Sequence, residues 1–232
     1  MLKALVTDVD GTITDMRRRI STDAIERIRT LVDGGIDVVI ASGNTACFMD
    51  GLCKMMGTNG IIIGENGGIY RNTFAGTLHV NGDRSVAWNA FNAIKEHFCE
   101  KGIELELYSP NYRFADVAFA RTVDVAEVLD IVKDHPIKVL DTGFAIHLLQ
   151  AGIDKGVALK KLVGEMGIDL SECMAIGDSM NDTEMIACAG VGVAVGNAHP
   201  EAKAAAVCVT EKSFGDGFVE AVEKYYSDFF KR

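Results

Sequence analysis

Short apolar runs alternate with helical patterns at the start of this chain, and this alternation limits the possible folds more than any other feature. The runs occupy residues 2–7, 36–41 and 61–63, and they predict buried strands. The segments between them have apolar residues at helical spacing, which predicts helices near residues 22–33 and 45–56. Strands and helices in this order predict a Rossmann-like α/β core, with a parallel sheet covered by helices on both faces.

The pattern changes after residue 81. Two helices and four short strands are predicted there in the order α-β-β, α-β-β, at residues 84–101, 104–108, 115–121, 125–134, 137–140 and 145–149. We therefore expect a small α+β domain, residues 83–151, inserted in a core made of residues 1–82 and 152–232. From residue 154 the core pattern resumes, with helices near 155–166, 180–187 and 217–230, strands at 173–176 and 191–195, and a short helix and strand within 202–209.

Charge and hydropathy exclude several classes of protein. The net charge is −10 and no basic cluster offsets it, so nucleic acid and anionic membranes are not expected partners. No run of 18 apolar residues occurs and the N-terminal apolar run is too short for a signal peptide, so we expect a cytoplasmic protein. No Gly-Lys-Ser/Thr motif occurs, which excludes P-loop nucleotide hydrolysis. Monomer and homodimer both remain open.

Polar residues follow the predicted core strands, where open α/β sheets bind their ligands. The first strand is followed by Asp8 and Asp10, the second by Ser42-Gly43-Asn44, and the strand at 173–176 by Asp178 and Asp182. Lys155 opens a helix directly after the insert. Because the carboxyl ends of parallel strands lie at one edge of a sheet, these residues are expected to meet.

Each of these residues also has an ordinary structural explanation. The acidic residues could be turn or helix N-terminal residues, Ser42 a helix cap, and Lys155 a solvated cation. Several carboxylates at one sheet edge would, however, repel each other unless a hard cation such as Mg²⁺ bound them. With Lys155 as a local positive charge and the amides of Gly43 and Asn44 as an anion cradle, the set predicts a Mg²⁺ site for a small phosphorylated metabolite.

These motifs resemble those of the haloacid dehalogenase-like (HAD) phosphatases. The matching residues are Asp8-Val9-Asp10-Gly11-Thr12-Ile13-Thr14, Ser42-Gly43, Lys155 and Gly177-Asp178-x-x-Asn181-Asp182. The insert lies where the C2-type cap of the Cof-like branch sits. The Ser42-Gly43-Asn44 variant, the loop at 64–68 and the short insert further resemble the archaeal type of phosphoglycolate phosphatase within that superfamily.

The resemblance implies a phosphatase mechanism. Asp8 would be the nucleophile that forms an aspartyl-phosphate and a ligand of Mg²⁺, and Asp10 would be the acid/base, with its main-chain carbonyl on the metal. Asp178 and Asp182 would complete or orient the metal shell. Lys155 and Ser42 would hold the phosphoryl oxygens.

The resemblance leaves some assignments open. Asn44 and Asn181 are assigned to substrate binding, whereas Arg113, between two cap strands, is either a solvated turn residue or a contact to a substrate carboxylate. The implied substrate is 2-phosphoglycolate, with a sugar-phosphate phosphatase or a phosphomannomutase-like enzyme as the related alternatives. A non-catalytic binding module for a phosphorylated ligand is the alternative from another class.

Overall fold

The apolar runs of the sequence form the strands of the core. The computed structural model describes residues 1–230. Its strands are β1 (Ala4–Asp8), β2 (Asp37–Ala41), β3 (Ile61–Gly64), β4 (Ile69–Arg71), β5 (His79–Val80), β6 (Val117–Ala120), β7 (Ile137–Asp141), β8 (Ala145–Gln150), β9 (Cys173–Gly177), β10 (Val191–Ala194) and β11 (Cys208–Val209). In this part of the chain they form an eight-stranded sheet, β11-β10-β9-β1-β2-β3-β4-β5, and a three-stranded sheet, β6-β8-β7.

Helices cover both faces of the larger sheet. These are α1 (Thr22–Asp33), α2 (Ala46–Met56), α5 (Lys155–Glu165), α6 (Thr183–Cys188), α7 (Pro200–Ala205) and α8 (Phe214–Phe230), whereas α3 (Arg84–Glu100) and α4 (Val125–Ile131) lie in the segment between β5 and α5. Leu5 of β1 packs into a cluster with α1, α2 and α8, whereas its neighbours Ala4 and Val6 pack into another cluster with α5 and α6. Successive side chains of a strand point to opposite faces, so a strand buried on both faces must be apolar throughout.

The strand register brings three strand ends to one place. β1 pairs in parallel with β2 on one side and β9 on the other, and Asp8 lies opposite Ala41 while Thr7 lies opposite Ile176. The residues that follow β1, β2 and β9 therefore leave the centre of the sheet side by side. This confirms the parallel α/β core that the alternation predicts.

The edge of the sheet beyond β3 differs from the prediction. The sequence analysis missed β4 and β5, which continue the sheet in antiparallel order, β4 against β3 and β5 against β4. The connection from β3 to β4 is the 3₁₀ turn Glu65–Gly67, in which Glu65, Asn66 and Gly67 all have positive φ. Strands of three and two residues are too short to give a recognisable alternation of apolar and polar residues.

The segment between β5 and α5 forms a separate α+β layer. Helices α3 and α4 pack on the sheet β6-β8-β7 around a core that includes Phe91, Phe119 and Leu148. The strand predicted at 104–108 is wrong: it makes a single bridge, from Leu107 to Phe119, flanked by hydrogen bonds of Tyr108 and Ala120. One bridge does not propagate into a ladder, so one of the two predicted α-β-β units has a single strand. The predicted helix at 125–134 ends at Ile131.

The described helices were also searched for membrane spans. Among residues 1–230, no helix combines the length and apolar character needed to cross a bilayer.

Gly67 is expected to be required for the packing of the β3–β4 turn on α5. It has a φ of +97°, and a Cβ there would collide with the main-chain carbonyl of Asp154. Gly102 has a φ of +71° but open space around it, so it is a matched control for backbone strain alone. Gly102→Ala should cost about 1–2 kcal/mol. Gly67→Ala should cost at least about 2 kcal/mol more, which is a further fall in Tm of roughly 5 °C for a chain of this size.

Thermal unfolding of the two variants beside the wild type measures this difference. Equal falls in Tm for Gly67→Ala and Gly102→Ala would mean that the turn shifts away from α5 at little cost.

Candidate active site

Three carboxylates meet where β1 and β9 end. Asp8 is the last residue of β1, Asp178 follows β9, and Asp182 lies on the 3₁₀ turn Met180–Asp182 that leads into α6. One oxygen from each carboxylate lies within 4.8 Å of the others. The turn after β1 packs closely on Asp178: Thr12 Oγ1 donates to Asp178 Oδ1 at 3.3 Å, and a Cβ on Gly11 would collide with the same carboxylate.

Lys155 lies between two of these carboxylates. Its Nζ is 2.6 Å from Asp8 Oδ1 and 2.6 Å from Asp182 Oδ1, and its side chain is completely buried. The interpretation of Lys155 as a solvated cation is therefore wrong. The residue is the first of α5, whose N-cap Asp154 accepts from Val157 N, so the helix start sets the position of the ammonium group.

Asp182 is held by main-chain groups as well as by Lys155. Its Oδ2 accepts hydrogen bonds of 3.0 Å from the amides of Asp178 and Ser179. The carboxylate thus fixes the loop after β9 and Lys155 together. The predicted role of Asp182 in completing or orienting a metal shell is compatible with this position.

The electrostatics of the site favour a further positive charge. Burial, followed by the charge of Asp182, raises the pKa of Asp8 well above its usual value in spite of Lys155. Burial and Asp182 likewise raise the pKa of Asp178 to about 7. Burial lowers the pKa of Lys155, but the charges of Asp182 and Asp8 outweigh it and the net pKa is raised. One ammonium group thus faces three carboxylates, and the protein alone does not balance their charge.

The donor set fits a hard divalent cation. Asp8 Oδ2 is buried and has no hydrogen-bond partner among the described residues, which leaves it as a ligand or a reactive atom. Asp8, Asp178 and Asp182 offer only oxygen atoms, the ligands that Mg²⁺ prefers. The carboxylate of Asp10 lies outside this group, 3.3 Å from Asn44 Nδ2, so the structure does not gather it with the other three acids.

The loop after β2 forms a cradle beside the carboxylates. Ser42 is buried, and its Oγ accepts from Asn44 N at 3.2 Å and from Asn44 Nδ2 at 2.9 Å. The interpretation of Ser42 as a helix cap is wrong, because α2 has Thr45 at its N-cap position. The loop Ser42-Gly43-Asn44 precedes that helix N-terminus, a place where main-chain amides can bind an anion.

Asn181 links two of the loops at this edge. Its Nδ2 donates to Asn66 Oδ1 at 2.7 Å, and its Oδ1 accepts from Ser179 Oγ. The side chain of Asn181 is therefore engaged with protein groups on both ends. Its assignment to substrate binding stays a prediction.

Arg113 is buried at the boundary with the small layer, so its interpretation as a solvated turn residue is wrong. Its Nη1 lies 2.7 and 3.0 Å from the two oxygens of Asp116 and donates to the main-chain carbonyl of Gly43 at 3.2 Å. His147 Nδ1 is 2.8 Å from Asp116 on the other side. Burial tends to raise the pKa of Asp116, but His147 and Arg113 lower it below its usual value. A contact to substrate through Arg113 stays a prediction.

Glu65 is a boundary residue that the sequence analysis did not assign. Its buried carboxylate accepts hydrogen bonds of 2.8–3.2 Å from the amides of Phe114, Ala115 and Asp116, across to the small layer. Burial and the charge of Asp116 raise the pKa of Glu65 to about 7 in spite of these bonds. The available signal was an acidic residue within the glycine-rich segment 64–68, directly after a buried strand.

A parallel α/β core with carboxylates and a lysine at the carboxyl edge of its sheet defines an enzyme-like site of the open-sheet type. The chain belongs to the haloacid dehalogenase-like hydrolase family, which residues 5–127 and 126–222 match. This family membership confirms the resemblance that the four motifs indicate.

Relatives match the whole length of the chain. It is 62% identical, over 234 aligned positions that cover all of both chains, to a protein of Methanoculleus marisnigri named phosphoglycolate phosphatase. A protein of the same name from Methanospirillum hungatei is 47% identical over 226 positions, 97% of each chain.

Solved structures resemble it over the same extent. The crystal structure of the Thermoplasma acidophilum protein 0175 matches with a TM-score of 0.86 at 28% identity, over 97% of this chain and 99% of that one. A phosphatase of the HAD superfamily from Bacteroides thetaiotaomicron matches with a TM-score of 0.80 at 21% identity, over 97% and 96% of the two chains, and supports the fold alone.

The raised pKa of Asp178 predicts a stability effect of known sign. Folding raises this pKa from 3.8 to about 7, so between these values the folded protein holds a proton that the unfolded chain has lost. Stability from the protonated carboxyl is complete below the lower value and is lost as the pH rises through the higher one. Asp178→Asn stays neutral, so in metal-free buffer its Tm should exceed that of the wild type by a margin that widens from about pH 4 to about pH 8.

Calorimetric Tm values in EDTA across this pH range measure that margin. Asn92→Gln, exposed on α3, adds and removes no ionisable group, so it is the control and should show no widening. A margin for Asp178→Asn that stays constant with pH would contradict the assigned shift.

Proposed function

We propose that this chain is a Mg²⁺-dependent phosphatase that hydrolyses a small phosphate monoester, with 2-phosphoglycolate as the preferred substrate. The observation that carries the proposal is the set of contacts around the Asp8 carboxylate. Lys155 holds its Oδ1, its Oδ2 is buried without a partner among residues 1–230, and the Ser42-Gly43-Asn44 loop lies at the adjacent strand end. A carboxylate in this position is poised to attack an electrophile bound by that loop.

The first chemical step follows from this arrangement. A carboxylate oxygen of Asp8 forms a bond to phosphorus, and the bond from phosphorus to the ester oxygen breaks. Asp10 gives its proton to the departing oxygen, which leaves as an alcohol. The product on the protein is an aspartyl-phosphate on Asp8.

The second step regenerates the enzyme. Asp10, now ionised, takes a proton from a water molecule, which attacks phosphorus and breaks its bond to Asp8. Inorganic phosphate leaves, and Asp10 is again protonated. The hydrogen bond from Asn44 Nδ2 to Asp10 Oδ2 supports this role, because it holds the side chain beside the phosphate cradle and apart from the other acids.

Binding groups surround the transferred phosphoryl group. Lys155, Ser42 and the amides of Gly43 and Asn44 hold its oxygens, and Asn181 supports them from the loop after β9. Asp8, the main-chain carbonyl of Asp10, Asp178 and Asp182 would hold the Mg²⁺, directly or by orienting its ligands. When bound, this ion neutralises carboxylate and phosphate charge, so that two anions can approach each other.

The substrate proposal rests on relatives and on size. A protein named phosphoglycolate phosphatase is 62% identical to this chain over its full length. We propose that residues 83–151 act as a cap over a core made of residues 1–82 and 152–232, and a cap this small suits a compact ligand. Arg113, next to Gly43, is the proposed contact to the substrate carboxylate, through Nη2, since protein acceptors occupy Nη1 and Nε.

A panel of phosphorylated metabolites tests the function. We expect the highest kcat/KM for 2-phosphoglycolate, ahead of hexose phosphates and nucleotides. Asp8→Asn should lower turnover of every ester by at least about 10³-fold, a barrier increase of about 4 kcal/mol, because an amide does not attack phosphorus. Asp23→Asn, exposed on α1, is the matched control and should retain wild-type turnover.

Different outcomes of this panel contradict different parts of the proposal. A hexose phosphate that is preferred by tenfold would reject the substrate and leave the chemistry in place. Phosphoryl transfer between sugar positions without net hydrolysis would indicate a mutase. Binding of esters without any turnover would indicate a binding module.

Metal removal tests the cofactor separately. EDTA should abolish turnover and Mg²⁺ should restore it. Ca²⁺ should be a poor substitute, because it takes more ligands and longer bonds than Mg²⁺. Its binding would shift the carboxylates away from the positions that suit Mg²⁺. Mg²⁺ should also raise the Tm of the wild type more than that of Asp178→Asn. Full turnover in metal-free buffer would exclude the Mg²⁺ requirement.

A further inference from the structure

Asn66 lies in a strained turn that no step of the proposed mechanism uses. It is buried and has a φ of +55°, directly after Glu65 with a φ of +49°. Consecutive non-glycine residues in the left-handed region cost free energy and persist where the surrounding structure requires them, often at functional sites. The turn connects β3 to β4, beside the loop that follows β2.

The hydrogen bonds of the Asn66 side chain leave one group unpaired. Its Oδ1 accepts from Asn181 Nδ2 at 2.7 Å, while Asn181 is itself oriented by Ser179. Its Nδ2 is buried and has no hydrogen-bond partner within the described part of the chain. A buried donor without a partner is costly, at about 1–3 kcal/mol, and such groups are rare in folded proteins.

The unpaired amide lies against the phosphate cradle. Asn66 N donates to the carbonyl of Ser42 at 3.2 Å, and a Cβ on Gly43 would lie only 3.0 Å from both Nδ2 and Oδ1 of Asn66. The side chain therefore lies between two loops of the site, the one that begins with Ser42 and the one that carries Asn181. A ligand oxygen bound by the amides of the Ser42-Gly43-Asn44 loop would therefore lie near Asn66 Nδ2.

We propose that Asn66 is a further substrate-binding residue, whose Nδ2 donates a hydrogen bond to an oxygen of the phosphoryl group. The inference rests on the proposed function, because it assumes that the cradle binds phosphate. An amide nitrogen is a donor and does not ligate a cation, so its partner is an acceptor. The anionic phosphoryl group is the acceptor that this loop is proposed to bind, and a hydrogen bond to a charged group is stronger than one between neutral groups.

Two substitutions separate this role from a structural one. Asn66→Gly removes the side chain and suits the positive φ, which alanine would not. Asn66→Asp also tolerates this backbone conformation and keeps an acceptor for Asn181 Nδ2, but it replaces the donor by an anionic oxygen. The added negative charge by itself repels phosphate, and this part of the loss should shrink as the ionic strength rises. If Asn66 serves only to accept from Asn181, the aspartate variant should therefore approach wild-type phosphate affinity at high salt; if Nδ2 binds phosphate, the variant should remain the more damaged of the two.

Two measurements are made on the full-length, Mg²⁺-loaded protein. Calorimetry gives the affinity for inorganic phosphate, and steady-state kinetics give kcat and KM for an aryl phosphate. We expect Asn66→Gly to weaken phosphate binding and raise KM by about tenfold or more, and Asn66→Asp to weaken both further. Asn92→Asp, exposed on α3, is the matched control and should leave both unchanged. Tm values check that each variant is folded.

The outcomes distinguish this inference from the proposed function. Wild-type phosphate affinity in Asn66→Asp at high salt would overturn the donor role of Asn66, whether or not Asn66→Gly loses affinity. A wild-type protein that binds no phosphate would overturn it as well. A wild type that binds phosphate but hydrolyses no ester would refute the phosphatase mechanism, and weaker phosphate binding by both variants would still support the donor role.

Discussion

The rest of the site depends on the two ion pairs that the buried ammonium group of Lys155 makes. At 2.6 Å from both Asp8 and Asp182, this group joins the end of β1, the start of α5 and the turn after β9. Removal of any one of these three charged side chains would leave a buried charge uncompensated. Breaking a buried ion pair typically costs about 3–5 kcal/mol. The strand register that places β9 beside β1 is therefore supported at its carboxyl edge by the same residues that are proposed to carry the chemistry.

The boundary between the core and the small layer relies on a different kind of contact. The Glu65 carboxylate accepts hydrogen bonds from the main-chain amides of residues 114–116, and Arg113 donates one to the carbonyl of Gly43. These bonds join the turn after β3 and the loop after β2 to one segment of the small layer. A movement of that segment would disturb Glu65 and the Ser42-Gly43-Asn44 loop together, so the position of the small layer and the shape of this loop are coupled.

The central strands and the acidic residues were predictable because each depends on local sequence. A strand buried on both faces must be apolar, and β1 ends at Asp8 where the apolar run ends. By contrast, β4, β5 and the single bridge at Leu107 depend on pairing with distant strands, and short segments carry no periodicity of their own. The burial of Lys155 and Arg113 was equally hidden, because a solvated and a buried cation have the same local sequence and differ only in their partners.

Charge balance at the boundary constrains how the substrate is distinguished. Asp116 already neutralises Arg113 through bonds of 2.7 and 3.0 Å, and His147 contacts the same carboxylate. A substrate carboxylate at Arg113 would therefore meet a guanidinium whose charge is largely compensated, beside the further acid Glu65. The carboxylate would gain binding free energy mainly from a hydrogen bond to a donor of fixed direction, and less from net charge attraction. If the substrate binds at this boundary as proposed, selection among phosphate esters would depend on how well a ligand fits between rigid hydrogen-bonding groups. A larger ligand would have to break the hydrogen bonds between residues 114–116 and Glu65.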